Sequence, residues 1–168
     1  MAGYFVDTSA LVKRYVQEVG TPWVRSLTRG NTLNRIYLAR ITAVEITAAI
    51  ARRRKGRTLT SPRASSILYR FRKHLVGRYT IVEVTPDLLT EAMKLANSYE
   101  LRAYDAVQLA VAIEVNRIYQ TKGSGPVILV SSDRDLNAAA TAEGLAVEDP
   151  TTHPYWGFKQ TLIWEYSN

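Results

Sequence analysis

Val127-Ile128-Leu129-Val130 is an unbroken aliphatic run that stops at Ser131-Ser132-Asp133 and gives way to an alanine-rich helical stretch through Ala142. Tyr4-Phe5-Val6 stops at Asp7 in the same manner, before Leu11, Val12, Tyr15 and Val16 at helical spacing from Ser9 to Val16. Strands that are apolar throughout, rather than alternating, have to be covered on both faces, and parallel strands need a long crossover between them. The pattern restricts the chain to an α/β fold with a central parallel sheet.

The remaining segments continue the alternation. Arg35 to Arg40 reads as a strand with Ile36 and Leu38 on one face, Tyr79 to Val84 as another and Leu145 to Val147 as a weak last one, for about five strands in all. Thr21-Pro22, Ser61-Pro62 and Thr85-Pro86 each pair a capping residue with proline at the first helical position. They predict helices to about Leu27, Leu75 and Tyr99, with Gly20 as a stop for the helix before. Thr42 opens a helix to about Arg54, its inner face formed by Ala43, Ile46, Thr47 and Ile50. Tyr104 to about Tyr119 is a strongly apolar helix. Gly123-Ser124-Gly125 precedes a strand instead of opening a helix, so it reads as a turn and not a phosphate loop. One domain is expected over residues 1–150. Residues 151–168 carry Tyr155, Trp156, Phe158, Trp164 and Tyr166, too aromatic for a solvated tail, and are expected to pack on the domain or on a partner subunit.

The 168 residues suit one domain, and an apolar fraction of 46% is enough for a substantial core. No apolar run approaches the roughly 18 residues of a membrane span. The opening residues lack the basic and apolar stretches of a secretory signal. The absence of cysteine excludes disulfides and thiolate zinc sites, and His74 and His153 are too few for a histidine-rich metal site. A cytoplasmic location is expected. The formal charge of +7 favours anionic partners: nucleic acid, an acidic protein or a membrane surface.

Against that positive background, Asp7, Glu45, Asp105 and Asp133 all stand where a strand gives way to a helix or in the first turn of a helix. Open parallel sheets bind ligands beyond the carboxyl ends of their strands. Acids that are scattered in sequence can therefore meet at one edge. Such a cluster requires a compensating cation, and an all-oxygen donor set suits Mg²⁺ or Mn²⁺. Each acid also has a purely structural reading. Thr42-x-x-Glu45 is a capping-box pattern, Asp7 is a turn or cap residue, and Asp105 and Asp133 gain from helix dipoles.

A basic belt, Arg52-Arg53-Arg54-Lys55 with Arg57, is followed by Arg63, Arg70, Arg72, Lys73 and Arg78, with Tyr69, Phe71 and Tyr79 interleaved. Phosphates attract such surfaces and exposed aromatics stack bases. Arg14, Arg52, Arg53, Arg54, Lys55 and Arg57 are the candidate RNA contacts. The alternatives are solvated arginines, core aromatics, or a belt that receives an acidic protein segment.

Tyr4 to Tyr15, reading YFVDTSALVKRY, resembles the opening of PIN-domain proteins, specifically VapC-type toxins of type II toxin–antitoxin systems. Leu101 to Ala110, LRAYDAVQLA, is similar to that family's third acidic motif, and Val130 to Leu136, VSSDRDL, to its fourth. Thr42-Ala43-Val44-Glu45 matches the short second motif. The resemblance covers about residues 4–150 and implies a three-layer α/β/α sandwich around a parallel sheet. It further implies a Mg²⁺- or Mn²⁺-dependent endoribonuclease, usually a homodimer, held inactive by a cognate antitoxin. Asp7, Glu45, Asp105 and Asp133 match the family's acids. Thr8 or Ser9, and Ser131, match polar positions that support the acids or the metal's water shell. Asp135 is either an extra acid or a partner of Arg134. Position 108, often histidine in the family, is glutamine here, and no loss of chemistry is expected from it.

On this reading a metal lies between Asp7, Asp105 and Asp133, with Glu45 direct or through water, and water attacks the phosphodiester in line. The rival readings are a non-catalytic PIN-fold module binding RNA or protein, and a PIN nuclease of RNA processing with no antitoxin. A phosphotransfer enzyme with Asp7 as nucleophile would want an acid at position 9, which is Ser9. A dinucleotide-binding domain would need Gly-x-Gly-x-x-Gly after the first strand, and it is missing.

Overall fold

The computed structural model describes residues 2–30 and 32–153. The expected aromatic extension lies, beyond His153, outside the described residues. Five strands, β1 (Gly3–Val6), β2 (Arg35–Ala39), β3 (Thr80–Val82), β4 (Val127–Val130) and β5 (Ala146–Glu148), form one sheet in the order β3-β2-β1-β4-β5. Every neighbouring pair is parallel.

Helices α1 (Thr8–Leu11), α2 (Thr21–Leu27), α3 (Thr42–Lys55) and α4 (Ser61–Gly77) connect β1 to β2 and β2 to β3. They pack on one side of the sheet, where Val6, Ile36, Leu38 and Val130 meet Leu11, Val24, Ile46, Ile50, Ile67 and Phe71. Helices α5 (Pro86–Tyr99), α6 (Ala103–Thr121) and α7 (Arg134–Ala142) cover the other side. There Phe5, Ala39, Val127 and Leu129 meet Leu95, Leu109, Val111 and Leu136. Adjacent residues such as Phe5 and Val6 thus go into different cores, which explains why the strands are apolar without alternation. The result is the expected α/β/α sandwich. The chain builds outward from β1 on one side, then crosses to β4 on the other. The β1–β4 junction is the switch point where open sheets place ligands.

Several local expectations shift. The segment after Asp7 is one turn of α-helix followed by a 3-10 turn, Val12–Arg14, rather than one helix to Val16. Gly20 does not stop a helix. It caps the start of α2 at φ 86°, with Thr21 already inside the helix. Thr60, not Ser61, caps α4, accepting from the Arg63 amide, while Thr85 caps α5 as expected. Phe71 and Tyr79 are core residues, leaving Tyr69, 59% exposed, as the one aromatic of that belt open to solvent. None of the described helices is long and apolar enough to cross a membrane.

Candidate active site

β1 delivers Asp7 to the switch point and ends there because Asp7 caps α1. Its carboxylate is 3% exposed. Three donors converge on Asp7 Oδ2: the Ser9 amide at 3.0 Å, Ser9 Oγ at 2.6 Å and Ser131 Oγ at 3.2 Å. Burial nevertheless pushes the Asp7 carboxyl above its ordinary pKa, because desolvation outweighs those donors.

Ser131 links β4 to this group. Its hydroxyl donates to Asp7 and accepts from the Asp133 amide at 3.0 Å, while Ser9 Oγ accepts from the Ser132 amide at 2.9 Å. Asp133 then caps α7, with Oδ1 accepting from the amides of Asp135 and Leu136, both at 3.0 Å.

Glu45 projects from the first turn of α3. Its Oε2 accepts from Thr8 Oγ1 at 2.8 Å and from Gln108 Nε2 at 2.6 Å. The capping box expected from Thr42-x-x-Glu45 does not form. Ile41 stands at the cap without a side-chain bond, and the Thr42 hydroxyl accepts from Gln108 Nε2 at 3.0 Å. Glu45 is therefore not explained by capping. Burial raises its pKa foremost, opposed by the Thr8 and Gln108 bonds.

Asp105 lies in the first turn of α6. Its pKa is pushed up to about 6, first by burial and then by the negative charges of Asp133, Asp7 and Glu45 in turn. The charges of Asp133, Asp7 and Glu45, from the β4–α7 junction, β1 and α3, thus all act on Asp105 in α6. A hard, all-oxygen donor set of this kind fits a divalent cation such as Mg²⁺ or Mn²⁺. Among the described residues, no three acids or histidines lie close enough to ligate one ion directly. Mg²⁺ keeps several waters and often takes only one or two carboxylates, so water-mediated holding by the others is compatible with this spacing.

Gln108 is the residue that sequence reasoning undervalued. It is 0% exposed and bonds Glu45, Thr42 and, at 3.4 Å, Thr8, tying α1, α3 and α6 together. A polar residue inside the apolar stretch of α6, one turn beyond Asp105, is the signal that could have found it. Its Oε1 is buried without a partner among the described residues.

The supporting residues divide. Thr8, Ser9 and Ser131 all reach the acids. Asp135 gives only its backbone amide. Its side chain is exposed and lines a surface pocket with Tyr99 and Glu100, and among the described residues it forms no ion pair with Arg134. Among the candidate RNA contacts, Arg52 is near enough to Glu45 to lower its pKa. Arg54, Lys55 and Arg57 are exposed near the end of α3. Arg53 is instead paired with Glu18 at 2.5 Å. Arg14 points elsewhere: its Nη1 donates to the Thr28 carbonyl at 2.8 Å and also contacts Thr28 Oγ1. His153 is structural, stacked on Trp23 at 4.7 Å and bonded to Glu148.

The family model of the PIN domain matches residues 4–142. No curated protein matches the chain. Among solved structures, PAE2754 from Pyrobaculum aerophilum is 22% identical with a TM-score of 0.58, covering 90% of this chain and 85% of its own. VapBC2 from Rickettsia felis, bound to a DNA fragment from its promoter, is 16% identical with a TM-score of 0.59, covering 88% and 98%. Mycobacterium tuberculosis VapC20, a Sarcin-Ricin loop cleaving toxin, is 18% identical with a TM-score of 0.58, covering 81% and 94%. At these identities the likeness is one of fold. The family match, over most of its length, places this chain in the PIN-domain family.

Proposed function

We propose that the chain is a divalent-metal-dependent endoribonuclease and the toxin of a toxin–antitoxin pair. The observation that carries this is Asp105, half-buried and, after burial, held above its ordinary pKa by the charges of Asp133, Asp7 and Glu45, in a chain of net charge +7. A carboxylate cluster has no use for a polyanionic substrate unless a cation mediates between them.

Asp7, Asp105, Asp133 and Glu45 would hold the cation, at most two of them directly and the others through its bound waters. When bound, Mg²⁺ or Mn²⁺ supplies Lewis-acid polarisation of the phosphodiester and a lowered pKa for the attacking water. The protein's own part is positional. Ser9 and Ser131 hold Asp7 on one oxygen, and Thr8 and Gln108 hold Glu45 on one oxygen, so each carboxylate has a fixed direction. Arg52, Arg54 and Lys55 on α3, with Arg57 just beyond it, form a positive margin that suits an RNA backbone. In-line attack by water leaves a 3′-hydroxyl and a 5′-phosphate. The solved VapBC2 complex supports, by fold, a cognate antitoxin as partner, and a homodimer is part of the same proposal.

The test is cleavage of cellular RNA by the purified chain with Mg²⁺ and with EDTA, beside Asp7→Asn. Activity is expected only with metal, and it should fall at least about a hundredfold in the variant, whose fold is retained. Full activity of Asp7→Asn would sink the assignment.

A further inference from the structure

A second cluster of charge lies away from the acids, and it has the opposite sign. Arg14, Tyr15, Arg25, Arg29, Arg70 and His74 line a cavity of about 290 Å³, at the small end for ligand sites. They come from the end of the 3-10 turn, from α2 and the residue beyond its cap, and from the last turns of α4. Arg29 and His74 precede β2 and β3, so this cavity belongs to the amino end of the sheet, whereas the acids follow the carboxyl ends.

The cations are arranged rather than merely crowded. Arg14 is anchored through Nη1 to Thr28, and its Nε approaches His74 Nδ1 at 3.4 Å. Arg25 Nε reaches the Arg14 carbonyl at 3.3 Å. The Arg78 guanidinium lies close over Gly30, where an added Cβ would stand 3.1 Å from its Nη1. His74 Nδ1 receives the Tyr15 hydroxyl at 2.8 Å, and Tyr15 meets Tyr79 at 3.0 Å. Because Arg14 Nε can only donate, Nδ1 is an acceptor, which leaves the ring proton of neutral His74 on Nε2. Among the described residues, no carboxylate forms an ion pair with Arg14, Arg25, Arg29, Arg70 or Arg78.

We infer that this arginine pocket is a phosphate-binding subsite, separate from the carboxylate cluster, that takes a phosphoryl or diphosphoryl group. Planar guanidinium forks match phosphate oxygens in pairs. Four arginines around so small a volume, with Arg14 anchored and Arg25, Arg29 and Arg70 at its open rim, are better answered by a multiply charged group with many acceptors than by one carboxylate. The group has two possible sources: the backbone or end of an RNA chain, or a free phosphate compound. The inference stands apart from the nuclease reading, since it involves none of the four acids.

His74 provides an internal reporter. Burial first, and then the charges of Arg14, Arg78 and Arg70, lower its pKa to about 4. A bound anion offsets those charges and moves its titration upward.

The experiment uses the full chain in EDTA, so that the acids cannot take phosphate through a metal. Inorganic pyrophosphate is titrated by calorimetry while the His74 ring is followed by NMR. Binding is expected, with the His74 midpoint rising. Arg25→Ala/Arg70→Ala should weaken binding at least about tenfold, and so should Arg29→Ala, a second variant in an exposed position. Asp7→Asn should bind as the unaltered chain does. A 5′-phosphorylated single-stranded RNA forms the second arm. RNA affinity lost with pyrophosphate affinity in the arginine variants identifies RNA as the source; loss of pyrophosphate binding alone identifies a free phosphate compound. The inference is overturned if pyrophosphate does not bind, if folded arginine variants bind it unchanged, or if a glutamate-rich peptide binds the pocket more tightly than pyrophosphate.

Discussion

Asp105 is the most exposed to its neighbours' charge of the acids at the site, and its titration has a definite consequence. Its folded pKa of about 6 lies above the ordinary carboxylate value, so the folded chain holds a proton that the unfolded chain releases. Raising the pH from about 4 through about 6 therefore costs stability. In EDTA the melting temperature is expected to fall across that window, by about 2–4 °C for each kcal/mol lost. Asp105→Asn should flatten the step, and Mg²⁺ at neutral pH should raise the melting temperature of the unaltered chain but not of that variant. A melting temperature that climbs through the same window would show that the Asp105 pKa is not raised by folding. Gln108 carries the second prediction at this scale. Gln108→Leu removes donors from Glu45 and Thr42 at a fully buried position. A loss of about 1–3 kcal/mol is expected in urea unfolding, with RNA cleavage reduced because Glu45 loses its alignment. The importance of Gln108 was only half legible in sequence. Its polarity inside an apolar helix was visible, but its three partners sit on two other helices.

At the scale of elements, what holds the sandwich's edges are a few close approaches. Gly20 opens α2 in the left-handed region, and a Cβ there would stand 2.3 Å from the Pro150 carbonyl oxygen. Gly20→Ala is expected to destabilise the chain by more than about 2 kcal/mol, since the backbone strain alone is about 1–2 kcal/mol. Urea unfolding with an unchanged m-value checks this. Glu18 performs a similar service for α3, bonding both Lys13 at 3.2 Å and Arg53 at 2.5 Å. Arg53→Ala is thus expected to loosen α3 against the 3-10 turn. The cap signals show how far local reading goes. Thr85-Pro86 marks a start correctly, because only one capping side chain is available there. At Thr60-Ser61-Pro62 two adjacent hydroxyls qualify, and the backbone at Thr60, extended at φ -71° and ψ 155°, decides between them.

For the whole molecule, the separation of charge matters most: acids at the carboxyl edge, arginines at α3's end and in the amino-edge pocket. Binding of single-stranded RNA to Asp7→Asn should weaken with salt, log K falling by about 0.7 per phosphate contacted for each unit of log salt. Arg52→Ala with Arg54→Ala should lessen that slope by about 1.4 if each arginine meets one phosphate. An unchanged slope in the folded double variant would move the RNA path off α3.

Sequence alone determined the class of fold and singled out the four acids as candidates. Continuous apolar strands can be buried only between two helical layers, and an acid placed just beyond a parallel strand stands at the sheet's carboxyl edge. Which residues act together was decided by tertiary structure. Crossing from β3 to β4 makes β1 and β4 neighbours, and this brings Ser131 within reach of Asp7 and places Gln108 beside Glu45. The same folding buried Phe71 and Tyr79, paired Arg53 with Glu18, and drew Arg14 into the pocket of arginines. Identical residue types were thereby divided between core, ion pair and open surface. Local sequence cannot make that division, because it depends on which elements pack together and not on the residues within any one of them.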